Sequence, residues 1–588
     1  MPDTELRLRR IDVLLLVALA LAAFLPGQFG LPPIDRDESR YAVATSQMLA
    51  SADFIDIRFQ DQPRHLQPAG IYWLQAIAVS ALSSPEAREI WAYRVPSVLG
   101  AVISILLTAS LAARLFGRRA GLISGVLMAS CLLLGVEARM AKIDAMMLAV
   151  VLAAQYALAL LYLGRTETPA RLAVLFWAAI GLGLMLKGPV PTIVSALTVV
   201  GLVAWDRKAT WLSRLHAEWG VPLALAIVMP WLLAIIIRTH GAFLEDAIGH
   251  SLLGKVATGQ QAHGAPPGYH LLAFNLAFWP ASLFAVLAMP HIWQNRQEPA
   301  YRFLIVWIVP TWIVFELVAT KLPHYTLPTY PAIAILAAAA LVSGAARLGE
   351  GRWRRARIAY LGLWMLLGVG LAVAPTAFAI YVDRTIDAVA VPVSVFTVAA
   401  AAYAALLVLR NEMVRAVGVA AVAAVVLWAG AFGGVLPRLD GLWISPRIIT
   451  AVKAASRCEK PLLATTPYHE PSLVFLHGPD RTRLARTPEE AAEILAANRD
   501  CSVAVIGQHE RERFARRASE LGLFMEPAFR IEGRNYSNGR WLALDVIRPM
   551  NASASAPTGS GVRDRREVSC GGAEQPRPCE RRQRKTIL

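Results

Sequence analysis

Runs of about twenty apolar residues recur along this chain, and they limit its fold more than any other feature. A bilayer core about 30 Å thick is crossed by roughly 20 helical residues. Backbone polar groups in hydrocarbon must be satisfied within the segment, so repeated runs of this kind specify a helical membrane protein. With 56% of its 588 residues hydrophobic and 17% charged, the chain is not an ordinary soluble enzyme. The runs fall near 11–29, 92–113, 120–136, 145–163, 172–186, 189–205, 220–237, 271–290, 303–320, 326–344, 358–381, 388–409 and 413–435. They predict about 13 transmembrane helices, a number open by one or two where 172–186 meets 189–205. The first run could also be read as a signal peptide, but its Ala-Leu-Ala-Ala-Phe context is a weak cleavage site and the later runs favour a retained anchor.

The net charge of +16 would raise nucleic acid as a partner. Its distribution argues for membrane topology instead. Alternating the sides of successive helices puts Arg7, Arg9, Arg10, Arg114, Arg118, Arg119, Arg207, Lys208, Arg354, Arg355, Arg410 and Arg415 on one face. By the positive-inside bias that face is cytoplasmic, with the N-terminus on it. The loops 30–91 and 238–270 and the chain beyond 437 are then external. Loop 30–91 is too long for a turn, and its mix of apolar and polar residues predicts two juxtamembrane helices. The 254–267 stretch reads as a lid or as an ordinary solvated loop, two readings the sequence leaves even.

Composition shifts after Gly434. Leu462 to Thr465, Ser472 to Leu476, Ser502 to Ile506 and Trp541 to Val546 read as strands. Pro488 to Ala497 and Arg511 to Leu521 read as helices, and Glu532-Gly533-Arg534-Asn535 as a turn. The expected organisation is a membrane frame over 1–437, a small exported α/β domain over 438–548, and a disordered tail over 549–588 that lacks core residues. Cys131 lies in an apolar helix, whereas Cys458, Cys501, Cys570 and Cys579 lie where a periplasm would permit disulfides. Cys458–Cys501 and Cys570–Cys579 are two of the pairings open to them.

The residues with chemical potential sit in the external turns. Asp35 and Glu38 have capping-box spacing, which would start a helix near Arg36. Asp37, Arg40 and Tyr41 then share a helix face, where Arg and Tyr can hold a carboxylate ionised as a base toward an acceptor. Asp35, Glu38 and Tyr41 are expected to be structural or to orient an acceptor. Asp144, at a helix mouth with Arg139 and Lys142 beside it, is the second catalytic candidate. Arg40, Arg58, Lys187, Lys321 and Tyr325 occupy separate external turns and could converge on a lipid phosphate, where cations stabilise the charge of a departing phosphate. The bland reading of each cation is interfacial snorkelling. No residue is assigned as a metal ligand.

Taken together, Asp37-Glu38-Ser39-Arg40-Tyr41-Ala42, Pro68-Ala69-Gly70-Ile71-Tyr72-Trp73, Lys187-Gly188 and Lys321-Leu322-Pro323-His324-Tyr325-Thr326-Leu327-Pro328 resemble the aminoarabinose transferase family, relatives of the protein O-mannosyltransferases. The resemblance covers roughly residues 10–435. It implies a polytopic α-helical membrane protein of GT-C type in a bacterial inner membrane, with a periplasmic active site. The implied reaction is inverting transfer of a sugar from a polyprenyl phosphate to lipid A or to another glycan or protein acceptor of the envelope. It places Asp37 and Asp144 at the chemistry, and Arg40, Lys187, Lys321 and Tyr325 at the donor phosphate or cavity. One departure is plain. Where the family has Glu-Lys before the proline of the second loop segment, this chain has Leu66 and Gln67, which weakens a divalent-metal requirement and leaves the sugar open. A transporter or flippase for a lipid-linked sugar is the reading from a different class; it would show midplane charges and repeats.

Overall fold

The computed structural model describes residues 6–247, 249, 265–349 and 351–550. Helices lie at all thirteen of the segments marked by apolar runs. Among the described residues, nine are long and apolar enough to cross a membrane, or ten if the bent pair Tyr269–Ala277 and Ser282–Gln294 is one span. The expected number of 13 crossings is therefore not established. Three segments fall short for identifiable reasons. Helix α1 (Arg10–Phe24) has 15 residues. The third run breaks at Cys131 into α5 (Arg118–Ser130) and α6 (Leu132–Glu137). Helix α9 (Val190–Asp206) has 17 residues because Gly188 and Pro189 interrupt its union with α8 (Pro169–Lys187). The protein is a multi-pass membrane protein of helical type.

Loop 30–91 contains two helices, α2 (Asp37–Ser51) and α3 (Gly70–Leu82), joined through the short hairpin β1 (Arg58–Phe59) and β2 (Gln62–Pro63). Helix α2 packs on α3, and α3 on α4 (Ile90–Phe116). Gly70 is required at the start of α3, since a Cβ there would meet the Met185 carbonyl oxygen at 2.6 Å. This close approach brings the Pro68–Gly70 bend against the end of α8.

The capping-box expectation for Asp35 and Glu38 is not met. Helix α2 begins at Asp37, with Arg36 as an N-cap that makes no side-chain cap bond. Glu38 is instead sealed in an ion pair with Arg94 of α4: Nε to Oε1 and Nη2 to Oε2 are each 2.8 Å, and both side chains are fully buried. Its oxygens also accept from the Ile34 and Ala141 amides at 2.8 and 2.7 Å. Arg94 donates onward to the Gln28, Leu31 and Pro32 carbonyls. Every charge-bearing atom has a partner, which offsets the desolvation cost that makes isolated buried ions prohibitive. The pair locks the first loop, α4 and the 137–144 turn together. Truncating one partner strands the other charge, so Glu38→Ala or Arg94→Ala should cost about 3–5 kcal/mol, seen as a large drop in thermal denaturation temperature in detergent.

Beyond residue 437 the chain forms a five-stranded mixed sheet of order β4-β3-β5-β7-β6. Strand β3 (Leu462–Thr466) pairs in parallel with β4 (Thr482–Leu484) and β5 (Ser502–Gly507). Strand β7 (Arg540–Pro549) runs antiparallel to β5 and to β6 (Met525–Asn535). Helices Pro488–Ala497 and Arg511–Glu520 cover one face, and Ile444–Ala455 the other. Two expectations are corrected here. Ser472 to Leu476 is not a strand but part of the helix Pro471–His477, started by a proline at its first position; a short apolar run does not separate the two. Glu532 to Asn535 is not a turn but the end of β6, and the hairpin turns one step later through Gly539, at φ +74°. Cys458 and Cys501 form a disulfide, while Cys131 is a buried free thiol. Cys570, Cys579 and the expected disordered tail lie outside the described residues. The helices and this sheet layer make one compact unit through Pro549.

Candidate active site

Three turns meet at one end of the bundle. The first is the 137–144 turn, from the end of α6 to the start of α7 (Asp144–Leu163). The second is the α8–α9 bend at Lys187. The third is the 3-10 turn Pro323–Thr329, whose prolines hold His324 and Tyr325 in fixed positions. Lys142 Nζ lies 3.0 Å from Glu137 and 3.6 Å from Asp144, and Lys187 Nζ lies 2.5 Å from Asp144. The His324 ring nitrogens lie 3.6 Å from Glu137 and 3.7 Å from Asp144. Burial pulls the Lys142 ammonium down, but the carboxylates of Glu137 and Asp144 outweigh it and hold Lys142 above the usual lysine range. Two acids and two lysines, with His324 beside them, thus form a charge-balanced buried cluster.

A cavity of about 500 Å³ opens from this cluster. Lys187, His324 and Tyr325 line its polar end; Leu184, Leu225, Val228, Met229, Leu232 and Phe315 line the rest. Leu66, Gln67 and Pro68 also face it, so the departure at positions 66 and 67 falls on the cavity wall. An apolar groove that ends on cations suits an amphiphile with a long hydrocarbon tail and an anionic head.

Asp37 stands exposed at the first position of α2. Its charge acts on Tyr41, Tyr72, Tyr325 and Lys142, and the Asp144 charge acts on Tyr41 and Tyr325 as well. The two aspartates thus act on two of the same groups, Tyr41 and Tyr325. Arg40 is half-buried and feels both Asp37 and the repulsion of Arg36 and Arg64. Tyr41 packs 5.2 Å from Tyr72, with the Arg64 guanidinium 5.0 Å from the Tyr41 ring centre and 3.2 Å from the Tyr72 hydroxyl. Burial pushes the Asp35 carboxyl up to about 6, against the pull of the Ser472 amide that donates to it.

Two expected phosphate ligands are not brought here. Arg58 pairs with Asp56 at 3.0 Å and lines a separate polar pocket with Arg88 and Arg481. Lys321 turns back to donate to the Glu316 and Val318 carbonyls, closing the end of helix Pro299–Leu317. Arg139 does not partner Asp144; its guanidinium donates to the Ala23, Pro26 and Gly135 carbonyls. Conversely, Glu137 and His324 were not singled out from sequence. The signal for Glu137 was its place in a four-charge turn between two apolar runs. Of the 254–267 stretch, only 265–267 lie within the described residues.

Glu137, Asp144 and His324 offer ligand atoms within 4.8 Å of one another, and their donor set would suit a divalent cation. The lysines oppose that fit. Lys142 and Lys187 already neutralise both carboxylates at 2.5–3.6 Å, so a metal would have to displace an ammonium from each.

With this geometry in view, the likeness to known proteins is informative. The crystal structure of ArnT from Cupriavidus metallidurans bound to undecaprenyl phosphate superposes with a TM-score of 0.70 at 20% identity, covering 93% of this chain and 99% of that one. This is the GT-C fold. A family model described as dolichyl-phosphate-mannose-protein mannosyltransferase matches residues 66–233 of the GT-C frame. An undecaprenyl phosphate-alpha-4-amino-4-deoxy-L-arabinose arabinosyl transferase of Pseudomonas paraeruginosa is 26% identical over 367 residues, 60% of this chain and 65% of the relative. An undecaprenyl phosphate-alpha-4-amino-4-deoxy-L-arabinose arabinosyl transferase 1 of Pseudomonas fluorescens is 29% identical over 328 residues, 54% of this chain and 57% of the relative. The matched stretch thus spans less than two thirds of these relatives. The resemblance read from the motifs, to aminoarabinose transferases and protein O-mannosyltransferases, is borne out.

Proposed function

We propose that the chain is an inverting glycosyltransferase that moves a sugar from a polyprenyl-phosphate donor to lipid A or another cell-envelope acceptor. The observation that carries this reading is the apolar cavity ending on Lys187, His324 and Tyr325, with Asp144 paired to that lysine and Asp37 acting electrostatically on that tyrosine. The isoprenoid tail occupies the groove, and the phosphate meets Lys187 with Arg40 nearby. The acceptor oxygen attacks the anomeric carbon as the bond to the phosphate oxygen breaks. The electron pair goes to the phosphate, where the cations stabilise it. Asp37 takes the acceptor proton, or orients an acceptor that is already an anion. On this reading residues 1–437 form the transferase frame and 438–548 a periplasmic domain, the N-terminus is cytoplasmic, and the membrane is the bacterial inner membrane.

The test is to incubate purified protein with isoprenyl-phosphate sugars and a panel of lipid A, glycan and peptide acceptors, following transfer by mass spectrometry. Failure with every donor, together with movement of the lipid-linked sugar across liposomes, would establish a transporter instead. The lysines fill the role of counter-charge to the acidic pair, so EDTA should leave the transfer rate within about twofold; a rate abolished by EDTA and restored by a divalent cation would contradict that assignment.

A further inference from the structure

We infer that the C-terminal α/β layer is a working part of the transfer site, because Tyr536 and Ser472 clamp the peptide that presents Asp37; Tyr536 is a positioning residue for that carboxylate. The inference rests on the proposed role of Asp37. Three contacts carry it. The Asp35 amide donates to the Tyr536 hydroxyl at 2.7 Å. The Ser472 amide donates to Asp35 Oδ1 at 2.9 Å. The Arg36 guanidinium donates to the Ser537 carbonyl at 2.8 Å. All three join residues more than four hundred positions apart, and they bracket the step from Asp35 to Asp37.

That step needs an external hold. Arg36 sits at φ +66° and ψ −103°, a backbone conformation that residues other than glycine rarely adopt. Such geometry persists only where surroundings over-determine it, and it collects at functional sites. Arg36 makes no side-chain cap bond, and the side chains of α2 that reach back, Glu38 and Ser39, hold the Ile34 backbone, before the Asp35–Asp37 step.

The clamp is itself braced. Tyr536 packs its ring 5.7 Å from Trp443, edge to face. Asn535 donates to Glu470 at 2.7 Å and accepts from the Ser537 amide at 2.9 Å, fixing the β6–β7 hairpin tip. The Ser472 hydroxyl meets Ser445 at 2.6 Å, which also meets the Tyr468 hydroxyl at 2.8 Å. Glu470, beside this network, acts electrostatically on both Asp35 and Arg40. The hairpin therefore reads as a built abutment for the Asp37 peptide.

Tyr536→Phe removes the hydroxyl and keeps the ring against Trp443. Full-length variant and wild type would be compared by transfer kinetics, donor binding, and amide hydrogen exchange over residues 34–41. The expected result is faster exchange in that peptide and a kcat lowered at least tenfold, with donor KM within about twofold. A purely structural loss would instead lower the active fraction and the denaturation temperature without singling out this peptide. Unchanged exchange overturns the clamp; faster exchange with unchanged kcat overturns the positioning role. Should the wild type transfer no sugar from any donor, the proposed reaction fails, and positioning for it falls too, while exchange still decides whether the clamp exists.

Discussion

Asp37→Asn should lower transfer to a hydroxyl acceptor by about a hundredfold to ten-thousandfold, the range that a positioned general base contributes. The same variant should stay folded. Asp37 is exposed, and among the described residues its carboxylate makes no hydrogen bond or ion pair. Its measurable structural contribution is its favourable place at a helix start, about 0.3–1 kcal/mol. The neighbouring residue provides the contrast. Glu38, one position on, is fully buried in its pair with Arg94, so Glu38→Gln should destabilise the protein broadly. Two adjacent acids thus separate into one chemical and one structural role, which kinetics and thermal denaturation on the same preparations would resolve. The acceptor class follows from the same measurement. An acceptor that attacks through a phosphate anion needs no base, and Asp37→Asn would then act through orientation alone and fall well short of a hundredfold. A variant with unchanged turnover on a hydroxyl acceptor would remove Asp37 from the chemistry.

Much of this architecture was legible because hydrophobic length and charge asymmetry are properties of composition. The thirteen helical segments, the two helices of loop 30–91 and most of the sheet layer needed only local pattern. Several of the misreadings concern partners distant in sequence. Nothing in Asp35-Arg36-Asp37-Glu38 announces that Glu38 will meet Arg94, or that Asp35 will be held from Ser472 and Tyr536. Arg58 and Lys321 looked equivalent to Lys187 as cations beside bends. Which of them reaches the cavity depends on local geometry: Asp56 lies two residues from Arg58, and the free carbonyls at the end of the preceding helix capture Lys321. Lys187 escapes that fate because Gly188, at φ +60°, ends α8 just beyond it and leaves its ammonium facing Asp144. The contribution of Glu137 and His324 was hidden by distance instead, since 187 residues separate them along the chain and only the bundle brings them within 3.6 Å.

The second large effect concerns Asp144 and Lys187, and a double-mutant cycle separates its two causes. Asp144→Asn leaves Lys142, Lys187 and His324 facing Glu137 alone in a buried cluster. Stranding buried charge in this way costs about 3–5 kcal/mol. Lys187→Met strands the Asp144 carboxylate less severely, because Lys142 remains 3.6 Å away. It should nevertheless lower transfer by about a hundredfold to a thousandfold, the usual loss on removing one group that stabilises a departing oxyanion. Combining the substitutions restores charge balance, so stability should recover well beyond the sum of the single changes. Activity decides the rest. Were Lys187 and Asp144 no more than each other's counter-ions, transfer would recover along with stability. A cation that receives the leaving phosphate cannot be replaced by removing its partner, so the double variant should fold well and still transfer poorly. Recovery of both properties would reduce Lys187 to a structural residue and return the phosphate to Arg40.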